Sequence, residues 1–154
     1  MGVKRLNHAV LYVRDADASG KFYSELLGFE IVESMPGAIF MRAAGSDNHH
    51  DLGLFSIGRQ ASAPTRGERV GLYHLAWEVS DLRDLPTIRK KMMDLNAFVG
   101  ESDHGTSLSL YGKDPDGVEF EVFWPVPQHE WATRGFGTRH LNLDSELASR
   151  NPQS

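Results

Sequence analysis

Cysteine is absent from this 154-residue chain. Its absence removes a disulfide framework, a thiolate nucleophile and every Cys-based metal site. Any metal must therefore be held by His, Asp or Glu. Long hydrophobic runs are missing too, since no apolar stretch approaches the ~20 residues of a membrane span. Nor is there a basic excess. The formal net charge of −5 offers no positive stripe to offset phosphate charge, which speaks against a nucleic-acid partner. The start "MGVKRLNHAVLYV" passes from a basic pair straight into alternating apolar residues, without the small-residue cleavage site of a signal peptide. A phosphate-cradling glycine loop is also wanting. What remains is a composition of 40% hydrophobic and 24% charged residues, enough for a core without staples, and the expectation of a cytoplasmic protein.

What is present is a repeat. The run "LNHAVLYVRD" (6–15) lies on "LYHLAWEVSD" (72–81) at an offset of 66, which sets His8 on His74 and Asp15 on Asp81. Each run alternates as a half-buried strand does and then reaches an Asp suited to cap a helix. Apolar helix stripes follow: Phe22, Tyr23, Leu26 and Leu27 before Gly28 in the first copy, and Leu85, Ile88, Met92 and Leu95 in the second. Past the helices the offset becomes 68, aligning Ala43 with Tyr111, Gly53 with Glu121 and Phe55 with Phe123. Two hairpins close the copies, the second carrying an Asp-Pro-Asp-Gly turn at 114–117. The expected fold class is α+β: two paired βαβββ modules forming one curved mixed sheet around a metal-containing cavity. Module one spans about 4–57, a polar linker about 58–70 and module two about 71–125. Together these form a single domain over 1–125, followed by a C-terminal tail at 126–154.

The repeat gives three residues a meaning. His8 and His74 hold the same place in the first strand of each copy. Glu121 stands in the apolar strand "GVEFEVFW", where alternation sends it to the face of Glu119 and Phe123. A carboxylate buried there is costly unless paired. Two imidazoles and one carboxylate on one side of a metal make the facial triad of non-heme Fe(II) enzymes, with open positions opposite.

The layout over 4–125 resembles the vicinal oxygen chelate superfamily, which includes glyoxalases, fosfomycin-resistance enzymes, bleomycin-binding proteins and extradiol ring-cleaving dioxygenases. The resemblance implies paired βαβββ modules, a homodimer or higher homo-oligomer, and metal ligands at His8, His74 and Glu121. Glyoxalase-type isomerases draw a fourth ligand from the position of Gly53, which has no side chain to give. The run "HGTSLSLYGKDPDGVEFE" (104–121) resembles the extradiol signature through His104, Leu110, Tyr111, Asp114, Pro115, Gly117 and Glu121; Ser102 departs from it. "HHDLGLF" (49–55) resembles the element that carries the acid–base histidine of those enzymes. His50 takes that role, with His49 as the alternative. Strict alternation sets His49 on the Gly53 face and His50 opposite, unless a turn at the strand entry reverses them.

The function so implied is an Fe(II)-dependent extradiol-type dioxygenase that opens a catechol-like ring with O2, with Mn, Zn or Ni as alternative metals. His50 would move the diol proton and assist O–O cleavage, while His104 and Tyr111 would hydrogen-bond substrate and intermediate oxygens. Its partners would be a small aromatic diol, O2 and a second copy of the chain, with no nucleic acid and no membrane. Two rival readings stay open: another metal-dependent isomerase, lyase or thiol transferase of the superfamily, and a metal-free binder of a small molecule or drug.

Overall fold

A computed structural model of the chain describes residues 2–65, 67 and 70–150. Within the linker, Arg66, Glu68 and Arg69 lie outside the described residues, as do 151–154 of the tail. Strand β1 (Ala9–Val13) leads to helix α1 (Ala16–Leu27) and then to β2 (Glu30–Met35), β3 (Ala38–Arg42) and β4 (Leu52–Ser56). The second copy repeats the series as β5 (Leu75–Glu78), α2 (Asp84–Asp94), β6 (Phe98–Asp103), β7 (Ser107–Lys113) and β8 (Glu119–Pro125). The tail adds a 3₁₀ turn (Gln128–Glu130), α3 (Trp131–Arg134) and α4 (Leu143–Arg150). No helix among the described residues is long and apolar enough to cross a membrane.

The βαβββ modules expected from the repeat are found, but one curved sheet around a metal-containing cavity is not. Hydrogen bonding closes within two separate four-stranded mixed sheets, ordered β1-β4-β3-β2 and β5-β8-β7-β6. Among the described residues, β1 pairs with β4 alone and β5 with β8 alone, and no ladder joins the two sheets. Nor does any group of three or more His, Asp or Glu among the described residues form a metal-holding cluster.

The chain divides into two compact units, Met1–Pro64 with Asp114–Gly117, and Thr65–Lys113 with Val118–Ser154. In the first, Leu11, Val13, Ile39, Met41, Leu52 and Leu54 bury one face of the sheet, and α1 packs on β3 and β4. Helix α1 forms where its sequence dictates. Asp15 accepts from the N–H groups of Asp17 and Ala18, and Gly28 closes the helix at φ 71°, a left-handed conformation that favours glycine. The predicted stripe is buried at Phe22, Tyr23 and Leu26. In the second unit, Leu85 and Met92 of α2 reach the core with Leu108, Leu110, Phe120 and Val122.

The change of offset from 66 to 68 has a local cause. Leu75 opens β5 66 residues after Ala9 opens β1 (75 − 9), but Asp84 opens α2 68 residues after Ala16 opens α1 (84 − 16). Two residues enter between strand and helix in the second copy. Asp81 is accordingly not the helix cap expected of it. It accepts from the Arg83 N–H at 2.9 Å, and Arg83, the residue before α2, gives the helix no side-chain cap.

The strand registers confirm one alignment and correct another. Val10 pairs with Gly53 and Ala76 with Glu121, so Gly53 and Glu121 are true counterparts. Gly53 lies opposite Phe40 and Glu121 opposite Tyr111. Phe40, not Ala43, is therefore the counterpart of Tyr111. The β3–β4 connection runs through residues 43–51 and the β7–β8 connection through 114–118, and this difference in loop length breaks the single offset.

The Asp-Pro-Asp-Gly turn is formed as its sequence demands. Gly117 sits at φ 86°, its N–H reaches the Asp114 carbonyl at 3.0 Å, and the Asp116 N–H donates to the Asp114 side chain at 2.9 Å. Asp116 in turn receives Arg14 through its backbone N–H at 3.0 Å and its guanidinium at 2.9 Å. The Tyr23 hydroxyl donates to Asp114 at 3.1 Å. Burial first, and the Asp114 carboxylate second, hold this hydroxyl well above the ordinary tyrosine value of 10.0. The unfolded chain thus releases the proton first, so the contribution is whole below pH 10 and is lost as pH rises above it. Tyr23→Phe is expected to lose less of its stability than the parent on raising the pH above 10.0. Urea midpoints followed across that range, beside tyrosinate absorbance, measure the difference.

Candidate functional site

In the second unit, three neighbouring strands set Ala76, Glu121 and Tyr111 in one row. Glu121 is 9% exposed and its carboxylate meets Nε2 of His74 at 3.1 Å. Tyr111 brings its hydroxyl to 3.4 Å from the same carboxylate. His104 follows β6 in a tight turn, its N–H on the Ser107 carbonyl at 2.9 Å, and its Nε2 shares a 2.6 Å hydrogen bond with the Tyr111 hydroxyl. His74, His104 and Tyr111 line a cavity of about 500 Å3 together with Tyr73, Val99, Glu119 and Thr138. Burial, then the Glu121 charge, pushes the Tyr111 hydroxyl up to about 12. It stays a protonated donor at neutral pH.

His74 and Glu121 fit a metal ion by the chemistry of their donors. Among the described residues the ring of His74 is the only ionic partner of Glu121, although Val122 and Leu110 beside it are fully buried. A carboxylate so placed gains from a cation that no Lys or Arg supplies. Nδ1 of His74 is itself buried without a hydrogen-bond partner among the described residues.

The first unit carries the other histidines. His8 shares a 2.9 Å hydrogen bond between its Nδ1 and the side-chain oxygen of Asn7. Asn7 is oriented in turn by its amide N–H on Asn48 at 2.8 Å, so the Asn7 oxygen faces His8 as an acceptor. In the neutral tautomer that suits this contact, the proton sits on Nδ1 and Nε2 presents its lone pair. This is the arrangement found in metal-ligating histidines. The His50 ring lies 4.6 Å from that of His8 and meets Phe40 edge-on at 5.1 Å. His49 reaches to 3.5 Å from Glu33 with its Nε2 and shares a 3.1 Å hydrogen bond between its Nδ1 and His50 Nδ1.

The alternation argument, which favoured His49, fails because residues 43–51 precede the strand and form a loop. Asp51 ties that loop by accepting from the Ala43 N–H at 2.9 Å, the Ser46 hydroxyl at 2.8 Å and the Asn48 amide at 2.7 Å. Burial alone would raise the Asp51 pKa, but these hydrogen bonds outweigh it and hold the carboxyl low. His50 is shifted the other way from protonation. Desolvation, then the neighbouring His8 and His49, lower its pKa from 6.5, so it is a neutral ring at pH 7.

The structure thus groups the predicted residues as His74, Glu121, Tyr111 and His104 in one unit and His8 with His50 in the other. Asn7, Asn48 and Thr138 touch these groups and were not foreseen. Their side chains carry no spacing signal, and Thr138 lies in a tail without period.

The sequence matches the Glyoxalase/Bleomycin resistance protein/Dioxygenase superfamily over residues 5–122, and the chain belongs to it. Among curated relatives, the catechol-2,3-dioxygenase of Bacillus subtilis (strain 168) is 27% identical, over 82% of this chain and 43% of that protein. Biphenyl-2,3-diol 1,2-dioxygenase 3 of Rhodococcus globerulus is 31% identical, over 77% of this chain and 63% of its own length. The chain therefore spans less than two thirds of either relative. Among solved structures, a glyoxylase/bleomycin resistance protein/dioxygenase domain from Frankia sp. EAN1pec superposes with a TM-score of 0.65 at 21% identity, covering 81% of this chain and 100% of that one. That likeness establishes the fold.

Proposed function

We propose that the chain is an extradiol-type dioxygenase that cleaves a catechol-like ring with O2 and uses Fe(II), with Mn, Zn or Ni as alternative metals. The carrying observation is the run of contacts from His104 through Tyr111 to Glu121 and His74, beside a cavity that His104, Tyr111 and His74 line. Two dioxygenases of aromatic diols among the relatives support it. We assign His8, His74 and Glu121 as the metal's ligands. When bound, the ion supplies the Lewis acidity that eases loss of the diol proton and open positions for diol and O2.

The remaining work falls to the chain. His50, neutral at pH 7 because its pKa is lowered, accepts the diol proton and later returns one to the oxygen that departs when the O–O bond breaks. Tyr111, its hydroxyl pushed up to about 12, donates a hydrogen bond to a substrate oxygen. His104 holds that hydroxyl in place at 2.6 Å. Tyr73 and Val99 give the cavity an apolar wall for a ring. Gly53, at the place of a fourth ligand, leaves the isomerase reading weaker.

Anaerobic purification, Fe(II) loading and O2 uptake on a panel of catechols test the proposal. A yellow ring-opened product should accompany uptake and vanish in His8→Ala. Tight Zn or Ni binding with no uptake on any diol sinks it. His50→Ala is expected to lower kcat by about 10²- to 10⁴-fold. The parent's acid limb in kcat/KM should lie below the ordinary histidine value of 6.5, because the base is lost only when His50 takes up a proton. That limb should disappear in the variant, and its survival there would assign the base to another group.

A further inference from the structure

The tail does more than cover the His104 turn. Thr138 places its hydroxyl 3.2 Å from His104 Nδ1, opposite the nitrogen that meets Tyr111 at 2.6 Å. The ring is gripped at both ends. A neutral imidazole has one N–H and one lone pair. The Tyr111 hydroxyl donates to Glu121 and so accepts from Nε2–H of His104, which leaves the Nδ1 lone pair to the Thr138 hydroxyl.

The segment that carries Thr138 is held from several sides. Asp103 and Arg139 form an antiparallel bridge, with backbone hydrogen bonds of 3.0 and 2.9 Å. Arg134 donates to Asp103 at 3.0 Å and to Glu146 of α4 at 2.8 Å. The Gly137 N–H reaches the His104 carbonyl at 3.4 Å. Gly105 sits at φ +79°, and a Cβ there would stand 1.8 Å from the Gly135 carbonyl oxygen. Only a glycine next to His104 lets the tail come this close. Leu141 and Leu143, each 1% exposed, anchor the segment beyond Thr138 in the core.

We propose that Thr138 is a positioning residue that fixes the ring and the tautomer of His104 from the C-terminal tail. Its use in turnover rests on the ring-cleavage reading, whereas its hold on the ring does not. Thr138 itself is exposed, so its hydroxyl can be replaced without disturbing the core.

Thr138→Val removes the hydroxyl at nearly constant shape, and Thr138→Ser keeps it. Ring ¹⁵N shifts of His104, assigned with His104→Gln, are measured first in the metal-free protein above the pH at which the ring protonates. The parent should show two well-separated shifts of one tautomer. Thr138→Val should draw them together and Thr138→Ser should keep them apart. In the Fe(II)-loaded protein, Thr138→Val should lower kcat about tenfold with KM nearly unchanged, and Thr138→Ser should restore it. Averaged shifts in the parent, or shifts that Thr138→Val does not move, overturn the proposal. So does failure of Thr138→Ser to restore a changed spectrum. Because the spectrum needs no turnover, a protein inactive on every diol defeats the ring-cleavage reading without touching this one.

Discussion

Glu121→Gln is expected to remove metal-dependent turnover, by about a thousandfold or more, and to leave the metal-free protein no less stable. A bound ion acting as Lewis acid supplies several kcal/mol of charge stabilisation, and each 1.36 kcal/mol is about tenfold in rate. The amide keeps the shape of the carboxylate but neither its charge nor its strength as a ligand. Stability moves the other way because Glu121, 9% exposed, has only the His74 ring as an ionic partner among the described residues. A neutral group of equal size sheds the desolvation cost of that charge. Adding Fe(II) should raise the melting temperature of the parent by mass action and leave the variant's unchanged. Metal content, oxygen uptake and thermal melts on the two proteins measure all three effects. A variant that keeps both its metal and its rate would remove Glu121 from the site.

Gly105→Ala should give the largest loss of stability, about 3 kcal/mol. Two costs add. At φ +79° an L side chain is strained whatever the space around it. The new Cβ would also lie 1.8 Å from the Gly135 carbonyl oxygen and 2.9 Å from its carbon, and those atoms are backbone that cannot rotate aside. The tail then has to lift from the turn, giving up the Asp103–Arg139 bridge. A lower urea midpoint and faster proteolysis within 134–139 are the expected readouts. An unchanged midpoint would mean that the tail shifts at no cost and grips His104 less firmly than the distances indicate.

Much of the module architecture was legible because a duplicated pattern reports the same strand twice. The equivalence of Gly53 and Glu121 follows from the offset alone and is matched by the strand registers. Loop length was not legible. The pairing of Ala43 with Tyr111 assumed equal hairpins, and the residues at 43–51 shift the true counterpart to Phe40. The expected cap at Asp81 failed for a related reason: two extra residues before α2 let that carboxylate hold a turn instead. Alternation could not sort His49 from His50, because period-two reasoning applies to strands and both residues stand in a loop tied by Asp51. Fusion of the two sheets into one was inferred from pseudo-symmetry, which says that the copies are alike and does not say which edges bond. The tail was the least readable part. Its contacts on His104 depend on single residues such as Thr138 and Gly135, brought near by chain path rather than by pattern.

Duplication usually leaves two equivalent positions free to acquire the same chemistry, and here one of them has been narrowed. A Cβ at Gly53 would meet Val10 at 3.3 and 3.5 Å and Phe40 at 3.6 Å. A single mutation to glutamate must therefore thread a long side chain between two occupied rotamers, and the neighbours have to give way before the carboxylate can reach past them. A side chain at position 53 thus asks Val10 to give by a few tenths of an ångström, and Val10, 52% exposed, has solvent to move into. The two halves therefore differ in crowding at the equivalent position, one holding the acid and the other set against Val10 and Phe40.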